Sequence, residues 1–240
     1  MFPVGVYNVE DYPLNWIDGT YYSTYKGNTF QVSSIENVKS EAEYDAVITI
    51  DLNNQGLTTD FTDTLLSKFK NLQSLVLNDN SNISILNTSS LLKLQDVAIR
   101  GSLITELIIN SNDLLILNAQ DNELNSVLVF SLANVTEIRL DRNNLTSFDL
   151  TGANNVTFLE IYANLLVSFD ASDLTSCTHL RCQNNQLDNL VNSQILIDLD
   201  SHGLSNGYLQ SIIFGGGSLT AAGQTAKSNL LSKGWTIVGI

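Results

Sequence analysis

The residues best suited to recognise a ligand recur at regular spacing in the middle and C-terminal parts of the chain. All four arginines fall at or beside positions that also hold aromatic side chains or carboxylates. Arginine and aromatic residues dominate binding hot spots, because they combine a large contact area with directed hydrogen bonds. The pattern therefore predicts a single ligand-binding patch, whose members are Arg100, Arg139, Phe158, Glu160, Tyr162, His179 and Arg181.

Local charge balance is a second interpretation of the same arginines. Arg139 lies between Glu137 and Asp141, and Glu160 follows one repeat later. Cross-strand pairs between opposite charges are therefore available, and such pairs stabilise a sheet whether or not a ligand binds. The sequence leaves both interpretations open.

Catalysis is the third possibility, and it would have to rest on Glu137, Asp141 and Glu160. Glycoside hydrolysis needs two carboxyl groups about 5–10 Å apart, one of them with a raised pKa. Each of these three has an arginine neighbour, which favours the ionised carboxylate. The two histidines of the chain have no nucleophile motif beside them. We therefore predict no enzymatic activity and no cofactor.

Metal and phosphate motifs are incomplete. The segment from Asp198 to Gly203 begins like a calcium loop, but its twelfth place is Leu209 instead of a bidentate glutamate. We therefore predict a helix end capped by Gly203 and no metal site. Gly215 to Gly217 lack the Gly-Lys-[Ser/Thr] of a phosphate loop. Cys177 and Cys182 occupy apolar positions on one predicted strand, too far apart for a disulfide, and are predicted to be buried thiols.

A repeat positions these residues. The stretch Val135-Thr-Glu-Ile-Arg-Leu-Asp-Arg-Asn-Asn-Leu145 returns 21 residues later from Val156 and again 21 residues later from Cys177. Its pattern is the L-x-x-L-x-L-x-x-N-x-L signature of a leucine-rich repeat. Seven repeats begin at Val47, Leu72, Leu94, Leu114, Val135, Val156 and Cys177. Leu145-Thr-Ser-Phe-Asp-Leu150 and its equivalents make residues 46–190 resemble the bacterial class with 21-residue repeats.

This resemblance implies a solenoid of α/β type dominated by β structure, right-handed, with a parallel sheet on its concave face. Strand side chains alternate between the two faces of a sheet, so one residue of each repeat is predicted to point inward. This inner column is Leu52, Leu77, Ile99, Ala119, Leu140, Ile161 and Cys182. The predicted patch occupies the outward columns. Asn at the eighth place after the first residue of most repeats is predicted to turn inward and bond the backbone.

Both ends of the chain depart from the repeat. Residues 1–45 are predicted to be an N-terminal cap or docking region, with a β-hairpin at Thr20–Tyr25 and Thr29–Val32 and a short helix or turn after Ser34. The extended aromatic arm 1–16 is a candidate for attachment to other virion or surface proteins. In the first repeat, residues 58–70 predict a short amphipathic helix.

Residues 191–240 are predicted to be a C-terminal α/β cap. One helix is predicted to be capped by Ser193, and a second by Thr220 and stopped at Lys233-Gly234. Between them, residues 208–214 predict a strand, and another follows from Trp235. This ending resembles the caps of leucine-rich proteins from gut-type bacteria and their phages.

The composition excludes several classes of partner. A net charge of −14 and a pI near 4.2 argue against nucleic acid and anionic membrane surfaces. No apolar run is long enough to span a membrane. The N-terminus lacks the basic and apolar regions of a secretory signal. Five N-x-[Ser/Thr] sequons are interpreted as a consequence of an Asn- and Thr-rich composition.

These observations favour a non-catalytic binding and assembly module. The leading interpretation is a phage virion component, in a tail or fibre, that recognises a protein or a host-surface glycan on its concave face. That location would reconcile a charge-poor, adhesin-like surface with the missing export signal. The alternative is a bacterial cell-surface or secreted leucine-rich protein, and a glycan-active enzyme is a remote third.

Overall fold

The computed structural model describes residues 44–45, 47–59 and 66–240, together with three N-terminal strands, β1 (Trp16–Ile17), β2 (Thr20–Tyr25) and β3 (Asn28–Val32). The candidate docking arm, except Trp16, and the helix or turn predicted after Ser34 lie outside the described residues. So do residues 60–65 of the helix predicted for the first repeat, whose described part contains a 3-10 helix at Leu66–Lys68.

The remaining strands are three or four residues long. In chain order the strands are β4 (Thr49–Asp51), β5 (Ser74–Val76), β6 (Ile85–Asn87), β7 (Asp96–Ala98), β8 (Glu106–Ile109), β9 (Ile116–Asn118), β10 (Ser126–Val129), β11 (Glu137–Arg139), β12 (Phe158–Glu160), β13 (His179–Arg181), β14 (Tyr208–Gln210) and β15 (Thr236–Val238). Helices α1 (Asn189–Ser201) and α2 (Ala221–Ser232) lie in the C-terminal segment.

A nine-stranded sheet of order β15-β14-β13-β12-β11-β9-β7-β5-β4 runs along the solenoid, and its neighbouring strands are parallel. Each predicted repeat contributes one strand, and the C-terminal segment adds β14 and β15. The predicted leucine-rich solenoid with a parallel sheet is confirmed. We call the outward side of this sheet, which carries the predicted patch, the open face.

The predicted inner column is also confirmed, because all of its members have a relative exposure of 1% or less: Leu52, Leu77, Ile99, Ala119, Leu140, Ile161 and Cys182. A core of this kind stacks equivalent residues from turn to turn, so each repeat is stabilised mainly by its two neighbours. Both cysteines are free and buried, as predicted.

An asparagine ladder closes each turn after the strand. Asn164 donates from Nδ2 to the carbonyls of Leu140 (2.9 Å) and Ile161 (3.1 Å), and its Oδ1 accepts from Leu145 N (3.0 Å). One side chain therefore bonds backbone groups of two consecutive turns. Gln55 instead stays half-buried at the edge of the ladder. The equivalent ladder positions in the other turns are Asn80, Ser102, Asn122, Asn143 and Asn185.

The residue immediately before each ladder position has a positive φ. Asp121 (57°), Arg142 (56°) and Ala163 (53°) occupy this left-handed place in consecutive turns. Asp and Asn tolerate the conformation, whereas other side chains adopt it at some cost. The repeated bend aims these side chains away from the core and stacks them from turn to turn, which brings Asp121 next to Arg142.

Two smaller sheets accompany the nine-stranded sheet. Strands β6, β8 and β10 pair in parallel in the second half of three successive turns. Strands β2 and β3 form the predicted antiparallel hairpin, with β1 added to β2.

The C-terminal segment folds as strand–helix units that continue the sheet. Helix α1 begins at Asn189 under an N-cap by Asp188, whose carboxylate accepts from Leu190 N and Val191 N. The predicted cap at Ser193 is wrong, because Ser193 lies one turn inside α1 and bonds Asn189 O (2.6 Å). Helix α2 is capped by Thr220 as predicted. The predicted strand at residues 208–214 is shorter and ends at Gln210.

Candidate binding face

The C-terminal half of the open face aligns the predicted residues in two rows across neighbouring strands. One row runs from Glu137 through Phe158 and His179 to Tyr208, and the other from Arg139 through Glu160 and Arg181 to Gln210. Tyr162 lies two residues after Glu160, at the edge of the same area. Because strands hold side chains more rigidly than loops, the geometry of this binding face is set by the sheet.

Glu160 is the hub of one ion-pair network. Its Oε2 lies 3.3 Å from Arg139 Nη1, and its Oε1 lies 3.0 Å from Arg181 Nη1 and 3.6 Å from His179 Nε2. Arg139 Nε also donates to Glu137 Oε1 at 2.6 Å. Only 8% of Glu160 is exposed, because its partners on both neighbouring strands cover it. The structure thus makes Glu160 an internal brace between β11, β12 and β13.

The aromatic groups on the face form a column. The rings of Phe158 and His179 are parallel at 4.1 Å, and those of His179 and Tyr208 stack at 5.2 Å. The Arg139 guanidinium lies 4.5 Å from the Phe158 ring centre, and the Arg181 guanidinium lies 4.4 Å from that of Tyr162. The column therefore presents mainly ring edges to solvent, with most ring faces already covered.

A second network joins the left-handed residues to this area. Arg142 donates to the Asp121 carboxylate and to the Tyr162 hydroxyl. Arg100 pairs with the same Asp121 at 3.0 Å. Hydrogen bonds from Arg142, the largest contribution, hold the pKa of Asp121 below its usual value. Tyr162 connects the two networks, because its hydroxyl accepts a hydrogen bond from Arg142 and its ring lies against the Arg181 guanidinium.

The binding face is electrically neutral although the chain is strongly acidic. Its four arginines are matched by four carboxylates, Asp121, Glu137, Asp141 and Glu160. Burial lowers the pKa of His179 from its ordinary value, and Glu160 opposes this only in part, so the imidazole is uncharged at neutral pH. The formal net charge of −14 is carried entirely by the rest of the chain.

Asp141 is the member of the face that water does not reach. It is 1% exposed, and Arg142 Nη2 lies 3.1 Å from its Oδ2 without the alignment of a hydrogen bond. Burial raises the pKa of Asp141, and the neighbouring Tyr162 and Arg142 oppose the shift. The expectation that an arginine neighbour prevents a raised pKa is therefore wrong for Asp141. A buried general acid still cannot contact a substrate.

We predict that Asp141→Asn stabilises the protein at pH 7 by about 1 kcal/mol, because burying the ionised carboxylate costs more free energy than its contacts with Tyr162 and Arg142 return. Loss of the ion pair with Arg142 offsets little of this gain in stability, since the Arg142 side chain is 43% exposed and keeps its ion pair with Asp121. Asn already occupies the same column at Asn78, where its Oδ1 accepts from Arg100 N (2.7 Å).

The stability advantage of Asp141→Asn should depend on pH. A carboxyl with a raised pKa in the folded state destabilises the fold as pH rises above its unfolded pKa, so the advantage of the Asn variant should appear at pH 7 and vanish near pH 3. Thermal denaturation of both proteins at the two pH values measures it. A variant that melts lower than wild type at pH 7 would show that the Arg142 pair outweighs burial.

The structure brings six of the seven predicted residues together: Arg139, Phe158, Glu160, Tyr162, His179 and Arg181. Arg100 lies at the margin of the binding face and connects to them through Asp121 and Arg142. Sequence reasoning missed Tyr208 and Gln210, because the 29 residues from His179 to its strand partner Tyr208 break the repeat. The 21-residue spacing of Asp121 and Arg142 was a signal for their pairing.

The other candidate sites have structural explanations. Asp198 and Asp200 lie on α1, and Gly203 (φ 74°) follows the C-cap His202, as a helix end predicts. In the described part of the chain, no group of three or more His, Cys, Asp or Glu side chains is placed to hold a metal ion. No helix among the described residues is long and apolar enough to cross a membrane.

Comparison with solved structures gives a number of similar chains. No family model and no curated protein match the chain. The functional domain of InlJ from Listeria monocytogenes, which includes a cysteine ladder, is 17% identical and superimposes with a TM-score of 0.35. The match covers 79% of this chain and 52% of that domain, so the chain spans about half of its length. A similarity at this level supports no statement about function.

Proposed function

We propose that this protein is a non-catalytic binding module that recognises a neutral glycan on the binding face. The observation that carries the proposal is the local charge balance: four guanidinium groups meet four carboxylates in a chain of net charge −14. An anionic ligand would be repelled by the rest of the protein. A neutral polyhydroxylated ligand would not be, and the fixed polar groups and ring edges suit its hydroxyls.

A protein ligand fits this face less well. The centres of protein–protein interfaces are depleted in charged residues and rich in apolar contact. The centre of this face is instead the Glu160 ion-pair network, which is already satisfied within the chain. Sugar hydroxyls accept and donate hydrogen bonds at the rim of such a network without breaking it.

The test is a glycan array probed with wild type, Tyr162→Ala and Arg181→Ala. Both side chains are half-buried, and Arg181 also positions Glu160 and Gln210, so thermal melting of each variant must accompany the array. We expect binding to weaken about 30-fold, which corresponds to about 2 kcal/mol. Ser74→Ala on β5, at the other end of the same sheet, is the matched control and should bind like wild type.

Two results would contradict the proposal. An array on which wild type binds no neutral glycan would remove the glycan as ligand. Equal binding by wild type and both folded variants would move the site away from this face and leave the arginines as charge balance.

The setting we propose is a phage tail or fibre, with the 1–16 arm attached to other virion proteins. The charge-poor, Asn- and Thr-rich sequence and the resemblance of the C-terminal cap support this setting. The alternative is a bacterial cell-surface or secreted protein. Mass spectrometry of purified phage particles separates the two, because only a virion component is recovered at constant stoichiometry with the particle.

A further inference from the structure

The aromatic column ends at a ring with one uncovered face. Phe158 is covered by Arg139 on one side and His179 on the other, and His179 lies between Phe158 and Tyr208. Tyr208 has His179 on one side only. On its other side the aligned residue of β15 is Thr236, which is exposed and small. Among the described residues, no aromatic or cationic side chain covers this outer face of Tyr208.

Gln210 presents directed donors beside that ring. Its Oε1 accepts from Tyr208 Oη (3.0 Å) and from Arg181 Nε (3.2 Å). These two bonds fix the amide orientation, so the two N–H groups of Nε2 point away from them. Within the described part of the chain nothing accepts from Nε2. A half-buried amide with both donors unused favours a ligand that supplies an acceptor.

We propose that the outer face of Tyr208, the Nε2 amide of Gln210 and the exposed surface of β15 form a subsite for one neutral hexopyranose ring. This inference rests on the proposed function and names its anchoring point. A pyranose with equatorial hydroxyls has an apolar C–H face, which stacks on an aromatic ring. Its hydroxyl oxygens then lie at the ring periphery, where the Gln210 amide donates to them.

Arg181 and Glu160 hold the Gln210 amide in place in this arrangement. Glu160 holds Arg181, Arg181 holds the Gln210 amide, and the amide meets the sugar. Both charged residues are therefore positioning residues. Thr236 and Val238, which lie in the two rows on β15, form the floor beside the stacked sugar.

The subsite is tested with methyl β-D-glucopyranoside and methyl β-D-galactopyranoside by saturation-transfer NMR, alongside the glycan array. Tyr208→Ala removes the stacking platform, whereas Thr236→Phe adds a ring to the column at an exposed position and covers the outer face of Tyr208. We expect each to weaken binding at least about tenfold, or about 1.4 kcal/mol. Tyr208→Phe keeps the ring but loses the hydrogen bond from the hydroxyl to Gln210 Oε1, so it should weaken binding clearly less than Tyr208→Ala.

The outcomes distinguish this inference from the proposed function. If wild type binds no neutral sugar in either assay, both are overturned. If wild type binds and Tyr208→Ala and Thr236→Phe bind equally well while folded, the subsite is wrong and the proposed function stands elsewhere on the face. Loss of binding in both variants, with a clearly smaller loss in Tyr208→Phe, supports the subsite.

Discussion

An Ile161→Asp variant is expected to lose the folded solenoid. Ile161 has 0% exposure and lies between Leu140 and Cys182 in the inner column. Its backbone is also central, because its carbonyl accepts from both Asn164 and Asn185. An ionised carboxylate in this column has no partner, and its desolvation costs several kcal/mol or more. A domain is stable by only about 5–15 kcal/mol, so one such charge removes much or all of that stability.

The loss should extend beyond one turn. Each repeat is stabilised mainly by its neighbours, so a failed turn uncovers the core of the turns before and after it. Far-UV circular dichroism and thermal melting measure the effect. Val167→Asp, at a position 58% exposed, is the matched control and should melt within a few degrees of wild type. A folded Ile161→Asp protein with the wild-type melting temperature would show that the strand register is wrong.

The side chains that point into the core were predictable from sequence, because their positions depend only on the period of the repeat. A shift of one residue would move every side chain of a strand to the other face. The alternation around Ile161 and Leu140 therefore determined register and core together. The asparagine ladder was predictable for the same reason, since Asn recurs at a fixed place in most repeats.

The exposure of the outward-pointing side chains depends on which long side chains lie over which neighbours. The spacing of residues in the sequence does not contain that information. Glu160 occupies an outward position and is nevertheless buried, because guanidinium groups from both neighbouring strands meet on it. The helix start was misjudged for a related reason. Asp188 and Ser193 are both residue types that favour the N-cap position. The helix starts after Asp188, because the Ser193 Oγ accepts a hydrogen bond from Thr220 N (2.9 Å) inside the helix.

The aromatic column shows the same limit and changes the chemistry expected of the face. Phe158, Tyr162 and His179 were predicted to supply a large aromatic contact area to a ligand. Their faces are covered by each other and by arginines, because the strand spacing of about 4.8 Å is close to the distance at which rings stack. Tyr208 is the ring of the column whose outer face is left uncovered. It lies outside the periodic region and was therefore not among the predicted residues.

The second large effect is expected from Asn164→Ala. Alanine leaves the carbonyls of Leu140 and Ile161 and the N–H of Leu145 without their side-chain partner, at a position that is 5% exposed. An unpaired buried polar group costs about 1–3 kcal/mol. Other bonds to the same carbonyls and partial entry of water reduce the sum, so we expect a loss of about 3 kcal/mol in the free energy of unfolding, measured by urea denaturation.

A graded pair of variants makes this prediction specific to the ladder. Serine already serves one turn at Ser102, where its Oγ donates to Leu77 O (3.0 Å) and accepts from Asn80 N (3.0 Å). Asn164→Ser should therefore cost less than Asn164→Ala, because a hydroxyl replaces part of the bonding. Asn154 is exposed and contributes its backbone carbonyl, not its side chain, to a bond with Thr175. If Asn154→Ala cost as much as Asn164→Ala, the loss would reflect general loop propensity. The buried side-chain bonds would then not be what joins one turn to the next.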